Sequence, residues 1–259
     1  MIPIPTAPWA HTLFDLAAWA SGAGLGAALY RWRLKDALHQ VAGKVDGGYF
    51  LALASGAVVG AWTAGSGSSL FAPSPALSHS VVGALVGAIV GVEIYKALRG
   101  VRGSTGGVFV GSFTSGVVIG RFGCLFTGLG DRTFGTPTRL PWGVDLGDGI
   151  ARHPVQIYES GAMALFLIVY LFGLASRADW AMRRGFYVMC GWYGLQRFFW
   201  EFLKPYPRVI GPFNVFHLLS LGLIAYGWIY FARDKRDEHD QRDAQERALP
   251  VPGSDHQPV

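Results

Sequence analysis

The sequence predicts an all-α, polytopic integral membrane protein of about seven transmembrane helices, with the N-terminus outside and the C-terminus inside. Only 15% of its 259 residues are charged and 51% are hydrophobic, whereas soluble domains carry roughly 25% charged residues. The charges are bunched, and they leave apolar runs of about 20 residues, long enough to cross a hydrocarbon core. The third observation is an uneven distribution of Lys and Arg between alternate connecting segments.

The apolar runs lie between charged residues or Gly and Pro breaks, and each one is predicted to be a helix. They place the spans near residues 9–29, 48–66, 77–98, 107–127, 154–175, 185–203 and 212–232. No Lys or Arg precedes Arg31, so the first run lacks the basic leader of a cleavable signal peptide. We expect it to remain as a membrane helix.

Small residues recur at four-residue spacing in several of these runs. The third run holds Gly83, Gly87 and Gly91, and such a stripe lets two helices approach closely. Similar pairs, Gly56/Gly60 and Gly116/Gly120, occur in the second and fourth runs. The sequence therefore predicts a compact bundle.

Orientation follows from the 22 Lys and Arg residues. The segments after spans one, three, five and seven, together with Lys96 at the inner end of span three, carry 15 of them, the other side carries 5, and Arg121 and Arg197 lie deeper inside spans. Because cytoplasmic loops are enriched in Lys and Arg, this bias predicts an external N-terminus. Residues 1–232 are then the membrane domain, and residues 233–259 a charged cytoplasmic tail that is predicted to be disordered. The net charge of +5 reflects this distribution, so no nucleic-acid partner is expected.

With this topology, ionisable residues from several spans converge in the outer half of the membrane. Tyr193, Arg197 and Glu201 are spaced by four residues and share one helix face. The other polar residues at this level are Asp15, His79, Arg121, the segment Arg152–Glu159, Asn214 and His217. Buried charges are costly in lipid, so their convergence indicates a functional site.

Two intramembrane arginines favour a particular ligand. A guanidinium stays charged and pairs with phosphate through two parallel hydrogen bonds, which suits a phospholipid head group. A neighbouring His or Tyr could take a proton from a nucleophile, and the arginines could stabilise charge on a phosphate leaving group. The site is therefore typical of an enzyme acting on a glycerophospholipid, or of a lipid-binding site without chemistry.

Each of these residues also has a simpler interpretation. Arg197 and Glu201 could form an ion pair that only neutralises both, and Arg121 could extend towards the outer head groups. His79, at a helix start, could be an interfacial residue. Cys124 is interpreted as a small packing residue, and Cys190 lies near the other membrane face, so no disulfide between them is expected.

Three motifs together resemble the bacterial prolipoprotein diacylglyceryl transferase family. They are Gly120–Gly123 (GRFG), Arg152–Glu159 (RHPVQIYE) and Tyr193–Phe202 (YGLQRFFWEF). Their order, the spacing of the spans and the seven-helix topology are similar to that family over most of residues 10–232.

The resemblance implies transfer of the diacylglyceryl group of phosphatidylglycerol to the cysteine thiol of a lipoprotein precursor, with release of glycerol phosphate. It implies that Arg121 and Arg197 hold the lipid phosphate and that His79 assists thiol deprotonation. Tyr193, Glu159 and Glu201 would position the site. The remaining substrate-binding candidates are Tyr158, Gln156, His153 and Asp131. The resemblance implies no metal and no organic cofactor.

The same resemblance implies the cellular setting. The protein would lie in the bacterial inner membrane with its active site on the periplasmic side. Its partners would be phosphatidylglycerol, the signal peptide of a lipoprotein precursor and the membrane itself.

The chain departs from the family pattern near the first motif. Where the family continues with two Asn and a Glu, this chain has Cys124, Thr127 and Leu129, and Asp131 is the candidate for the missing acid. Ser80 follows His79 where a glycine is usual. Two alternatives therefore stay open, namely a divergent family member with another acceptor and a non-enzymatic phospholipid binder or transporter.

Overall fold

Long apolar helices make up most of the chain in the computed structural model, which describes residues 1–36, 45–70, 77–101 and 103–248. In order they are α1 Ala10–Leu29, α2 Gly47–Ser69, α3 Val81–Arg99, α4 Phe109–Thr127, α5 Val155–Ala175, α6 Asp179–Arg183, α7 Gly185–Glu201 and α8 Val215–Ala248. A π-helical turn extends α1 and a 3-10 turn, Gly128–Asp131, extends α4. The two strands have two residues each, so the predicted all-α class is confirmed.

Six of the described helices are long and apolar enough to cross a membrane. They are Ala10–Leu34, Gly47–Ser69, Val81–Arg99, Phe109–Asp131, Val155–Ala175 and Val215–Arg236. Their outer faces expose large apolar side chains, among them Trp19, Phe172 and Trp228, each more than 70% exposed. Such continuous apolar exposure is typical of a lipid-facing surface, so the chain is a multi-pass membrane protein.

The predicted sixth span forms a helix, but it differs from the other six. Helix α7 has 17 residues, or about 26 Å at the α-helical rise, which is shorter than a hydrocarbon core of about 30 Å. Its buried face carries Tyr193, Gln196, Arg197 and Glu201, which lowers its mean hydropathy. Its assignment as a seventh span therefore stays a prediction.

The predicted glycine stripe lies where α2 packs on α3. A Cβ atom built on Gly60 or Gly87 would overlap backbone atoms of the facing helix, and Gly56 and Gly83 face the same contact. The absence of side chains there lets the two backbones touch. The close approach predicted from the four-residue spacing is confirmed for this pair.

The N-terminus lies against the segment that connects α4 to α5. Strand β1 (Ile2–Pro3) pairs in parallel with β2 (Val144–Asp145), and Ala7 N donates to Phe126 O at 2.8 Å. The N-terminus and this connection therefore lie at the same end of the bundle. This agrees with an alternating topology, while the predicted direction across the membrane stays a prediction.

The predicted tail begins inside the last helix. The backbone of residues 233–248 continues α8, and the division into a membrane domain and a disordered tail stays a prediction. Residues 249–259 of that tail lie outside the described residues.

Candidate functional site

The carboxylate of Glu159 is the centre of a buried ionic cluster. It lies in the second turn of α5 and is fully buried. Its Oε2 atom lies 2.5 Å from Arg121 Nε, on α4. Arg197 Nη1, on α7, donates to both of its oxygens at 3.0 Å, and Lys204 Nζ donates to Oε1. Three cations from different parts of the chain therefore share one carboxylate.

Glu201 is the second carboxylate of the cluster. Arg197 Nε lies 2.7 Å from its Oε1 atom, although the angle does not make a hydrogen bond. Lys204 Nζ donates to the same oxygen at 3.2 Å, and Asn214 Nδ2 donates to Oε2 at 3.2 Å. The intrahelical pair of Arg197 and Glu201 is thus one edge of a larger network.

The cluster is deeply buried and unequal in charge. Each of its five ionisable residues is at most 7% exposed. Arg121, Arg197 and Lys204 carry three positive charges against two negative ones on Glu159 and Glu201, which leaves one positive charge in excess. Arg121 pairs inside the bundle, and these contacts do not favour the interpretation that it extends to the head groups.

Several buried polar atoms on α5, α7 and α8, the helices around the cluster, have no hydrogen-bond partner among the described residues. They are Tyr193 Oη, Gln156 Nε2, Gln196 Oε1 and His217 Nε2. Arg121 is close enough to influence Tyr193 electrostatically, but the two do not meet hydrogen-bond geometry. A buried polar group without a partner costs roughly 1–3 kcal/mol. These atoms therefore favour a polar ligand or water beside the cluster.

The RHPVQIYE segment (Arg152–Glu159) contacts both the connection between α4 and α5 and the end of α7. The backbone of His153 donates to Thr136 O at 3.0 Å, and Thr136 N donates to Leu203 O at 2.7 Å. Tyr158 accepts a hydrogen bond from Trp142 Nε1 at 2.8 Å and packs on Trp200. These contacts hold the loop before α5 against the end of α7.

Arg152 has a local role in the same loop. Its guanidinium donates to both carboxylate oxygens of Asp148, at 2.6 and 2.7 Å. These hydrogen bonds lower the pKa of the Asp148 carboxyl below its ordinary value. The pair therefore stabilises the loop fully at pH values above the ordinary pKa, and this contribution is lost as the pH falls through the lowered pKa. Arg152 is therefore paired within its own loop.

His79 lies apart from the cluster. It is exposed, one residue before the N-cap of α3, and its ring centroid lies 6.0 Å from that of Trp62. The contacts of the described residues do not join it to Arg121 or Glu159. The structure thus brings together Arg121, Glu159, Arg197 and Glu201, with Tyr193 beside them. Gln156 lies three residues before Glu159 on α5, and the role predicted for His79 stays a prediction.

Asp131 belongs to a second group of polar side chains. Its Oδ1 atom lies 3.0 Å from His11 Nε2, and it accepts a hydrogen bond from Thr133 through Oδ2. His11, Cys124 and Asp131 each bring one possible metal-ligand atom, all within 4.8 Å of one another. Arg121 Nη1 donates to Cys124 Sγ at 3.9 Å, which joins this group to the first cluster.

The sequence-based interpretation missed two parts of this arrangement. Lys204 was counted as a loop charge, but it is 5% exposed and inside the cluster. Its position three residues after Glu201 was the available signal, because that spacing would put both residues on one face if the helix continued. His11 was not singled out, and Cys124 was interpreted as a packing residue, because no local pattern brings α1 next to the end of α4.

An apolar bundle that buries an ionic cluster between its helices defines a polytopic membrane protein with an internal polar site. Comparison with known proteins narrows this class. Residues 77–233, more than half of the chain, match the family model of prolipoprotein diacylglyceryl transferase. The chain belongs to that family, which confirms the resemblance predicted from the three motifs.

Individual relatives carry the same name. The chain is 32% identical over 131 residues to the phosphatidylglycerol–prolipoprotein diacylglyceryl transferase of Finegoldia magna, covering 50% of each chain. It is 38% identical over 136 residues to that of Solidesulfovibrio magneticus, covering 48% of this chain and 49% of the relative. The chain thus spans about half the length of the curated relatives it matches. No solved structure is significantly similar to it.

Proposed function

We propose that this protein transfers the diacylglyceryl group of phosphatidylglycerol to the thiol of a lipoprotein-precursor cysteine and releases glycerol phosphate. The observation that carries the proposal is the buried cluster in which Arg121, Arg197 and Lys204 share the carboxylates of Glu159 and Glu201. Membership of the family and the names of the relatives support the same activity.

The charge of the cluster suits a phosphodiester. Its one excess positive charge matches the single negative charge of a phosphatidylglycerol phosphate. The pairing with Glu159 holds Arg121 and Arg197 in place before the lipid arrives, which reduces the entropy lost on binding. The unpartnered atoms of Tyr193 and Gln156 could then bond to glycerol hydroxyls or phosphate oxygens.

The proposed transfer forms one bond and breaks one bond at the same carbon. The acceptor sulfur attacks the glyceryl carbon that bears the phosphate, a C–S bond forms, and the C–O bond to that phosphate breaks. Glycerol phosphate leaves with the bonding electrons, and a base takes the thiol proton. Arg121 and Arg197 would stabilise the charge that grows on the leaving phosphate, and His79 would assist deprotonation, since the thiolate is the effective nucleophile.

The cellular location and the orientation in the membrane are part of the proposal. The protein would lie in the bacterial inner membrane, with the cluster in its periplasmic half and the precursor's signal peptide entering from the lipid. The Lys and Arg distribution supports this direction, and the N-terminal strand lies at the same end of the helix bundle as the RHPVQIYE segment.

One observation favours a second candidate, a phospholipid binder without chemistry. His79 is exposed and packs on Trp62 rather than on the cluster. A site that only holds a head group needs the arginines but no proton acceptor. The two candidates therefore differ in what His79 does.

One experiment distinguishes them. Purified protein in detergent is given phosphatidylglycerol and a cysteine-containing lipoprotein peptide, and glycerol phosphate release and lipid binding are measured. Arg121→Gln should weaken binding and turnover together, since a charge-assisted contact contributes roughly 1.5–3 kcal/mol. His79→Gln should cut turnover by about 100-fold or more with binding nearly intact. Arg99→Gln, an exposed arginine away from the cluster, is the matched control.

Two results would contradict the proposal. If His79→Gln turns over like the wild type, the general-base role is wrong. If the wild type binds the lipid but releases no glycerol phosphate with any acceptor peptide, the binder is the better interpretation.

A further inference from the structure

We propose that His11, Cys124 and Asp131 bind one divalent transition-metal ion, zinc by the chemistry of its ligands. The site lies beside the ionic cluster but does not depend on the transferase activity. Its three ligand types are the nitrogen, sulfur and oxygen donors that zinc uses in proteins. A thiolate among them disfavours Mg²⁺ and Ca²⁺, which take oxygen ligands.

The backbone brings the three residues together through a close helix contact. His11 lies in the first turn of α1, and Cys124 lies one turn before the end of α4. A Cβ on Gly123 would come 2.9 Å from Phe14 Cβ and 3.5 Å from His11 Cα, so the glycine lets α4 approach α1 at this level. Gly128, at a φ of 76°, then turns the chain so that Asp131 reaches the same place.

The spacing of the ligand atoms suits a tetrahedral ion. Ligands bound at 2.0–2.3 Å around a tetrahedral centre lie roughly 3.3–3.7 Å from one another. The three candidate atoms lie within 4.8 Å of one another, with His11 Nε2 and Asp131 Oδ1 3.0 Å apart. Small side-chain movements are enough to place an ion between them, with a fourth position for water or a substrate atom.

Each ligand is also held by a second contact, as in known metal sites. His11 Nδ1 lies 2.8 Å from Asp15 Oδ2, an arrangement that keeps the proton on Nδ1 and points the lone pair of Nε2 at the metal. Thr133 holds the other oxygen of Asp131. Arg121 Nη1 donates to Cys124 Sγ at 3.9 Å, a contact that helps to fix the position of the sulfur.

The charge is consistent with a divalent ion. A thiolate and one carboxylate carry two negative charges, which Zn²⁺ neutralises, while His11 binds as neutral imidazole. All three residues are only partly buried, so an ion can reach them from the end of the bundle. Without a metal, the same contacts would describe a protonated His11 between the carboxylates of Asp15 and Asp131. The experiment must distinguish this metal-free arrangement from a bound ion.

The first measurement is metal content. The full chain, purified in detergent without a polyhistidine tag, is dialysed against zinc and analysed by elemental mass spectrometry. We expect about one zinc per chain in the wild type and in Cys190→Ser, the matched cysteine control. Cys124→Ser, His11→Gln and Asp131→Asn should lose the ion, and Asp15→Asn should keep it with affinity weakened about 10–100-fold.

The second measurement needs no variant. Cobalt added to the wild type should give a sulfur-to-cobalt charge-transfer band, and zinc should slow alkylation of Cys124 without changing that of Cys190. The proposal is overturned if the wild type retains no zinc, or if alkylation of Cys124 is the same with and without zinc. An unchanged zinc content in a folded Cys124→Ser variant would also overturn it.

Discussion

At the scale of single residues, Glu159 determines how the ionic cluster is held. Its carboxylate contacts Arg121, Arg197 and Lys204, and none of its surface is exposed. A fully buried carboxylate stays ionised only because three cations surround it. The buried cations in turn depend on its negative charge. Removing one member of a buried ionic network is far more damaging than removing a surface pair.

Glu159→Gln should therefore destabilise the protein. The amide keeps the shape but leaves three buried cations with only Glu201, and a loss of about 3–5 kcal/mol is expected. The measurement is thermal unfolding in detergent, with Asp36→Asn, at an exposed position, as the control. Equal unfolding temperatures for the two variants would show that Glu159 does not hold the cluster.

Arg197→Lys tests the phosphate role directly. Lysine keeps the charge but lacks the planar guanidinium, whose two parallel N–H groups can pair with a phosphate. We expect most of the transfer activity to be lost while the variant remains folded. If Arg197 only neutralised Glu201, lysine would substitute well, so wild-type activity at matched expression would remove Arg197 from the phosphate site.

At the scale of elements, the bundle is organised as helix pairs that meet through small residues. Helices α2 and α3 touch backbone to backbone at Gly60 and Gly87, and α1 approaches α4 at Gly123. In lipid there is no strong hydrophobic force between helices, so close packing of this kind contributes much of their association. The α1–α4 contact also brings His11 to Cys124.

Gly60→Ala and Gly67→Ala form a matched pair on α2. A Cβ on Gly60 would overlap Gly83 and Gly87, whereas a Cβ on Gly67 meets no atom within 4 Å. Alanine is otherwise preferred over glycine in a helix by about 1 kcal/mol. We expect Gly67→Ala to unfold at or above the wild-type temperature and Gly60→Ala below it. Identical unfolding curves would show that the α2–α3 contact adapts freely.

At the scale of the whole molecule, the question is which way the bundle faces. The Lys and Arg bias predicts an external N-terminus, and the pairing of β1 with β2 brings the N-terminus and the α4–α5 connection to one end. Lys204 was counted on the outer side, and its burial in the cluster removes it from the loop charges. The corrected count makes the bias stronger.

Reporter fusions test this direction. A reporter after Val259 should be cytoplasmic, and one within residues 66–76 should be external, because positively charged connections are retained inside. A reporter at the N-terminus should behave like the one within 66–76. The reverse pattern would place the ionic cluster in the inner half of the membrane and contradict the proposed periplasmic site.

The sequence by itself determined the class, the position of the helices and part of the site. Hydropathy located every long helix to within a few residues at its start, because in lipid the backbone must satisfy its own hydrogen bonds. The four-residue spacing of Tyr193, Arg197 and Glu201 assigned them to one face, since that spacing is nearly one helical turn. The end of α8 was not predicted, because a charged sequence can continue a helix beyond the apolar run.

Only the tertiary structure decided which helices are neighbours and how each is rotated. It made Glu159 the shared partner of Arg121 and Arg197, brought Lys204 back from the chain beyond α7, and separated His79 from the cluster. It also joined His11 on α1 to Cys124 and Asp131 beyond a hundred intervening residues. Helical periodicity determines which side chains share a face, but the choice of neighbour depends on side-chain fit between helices, which no single run of sequence contains.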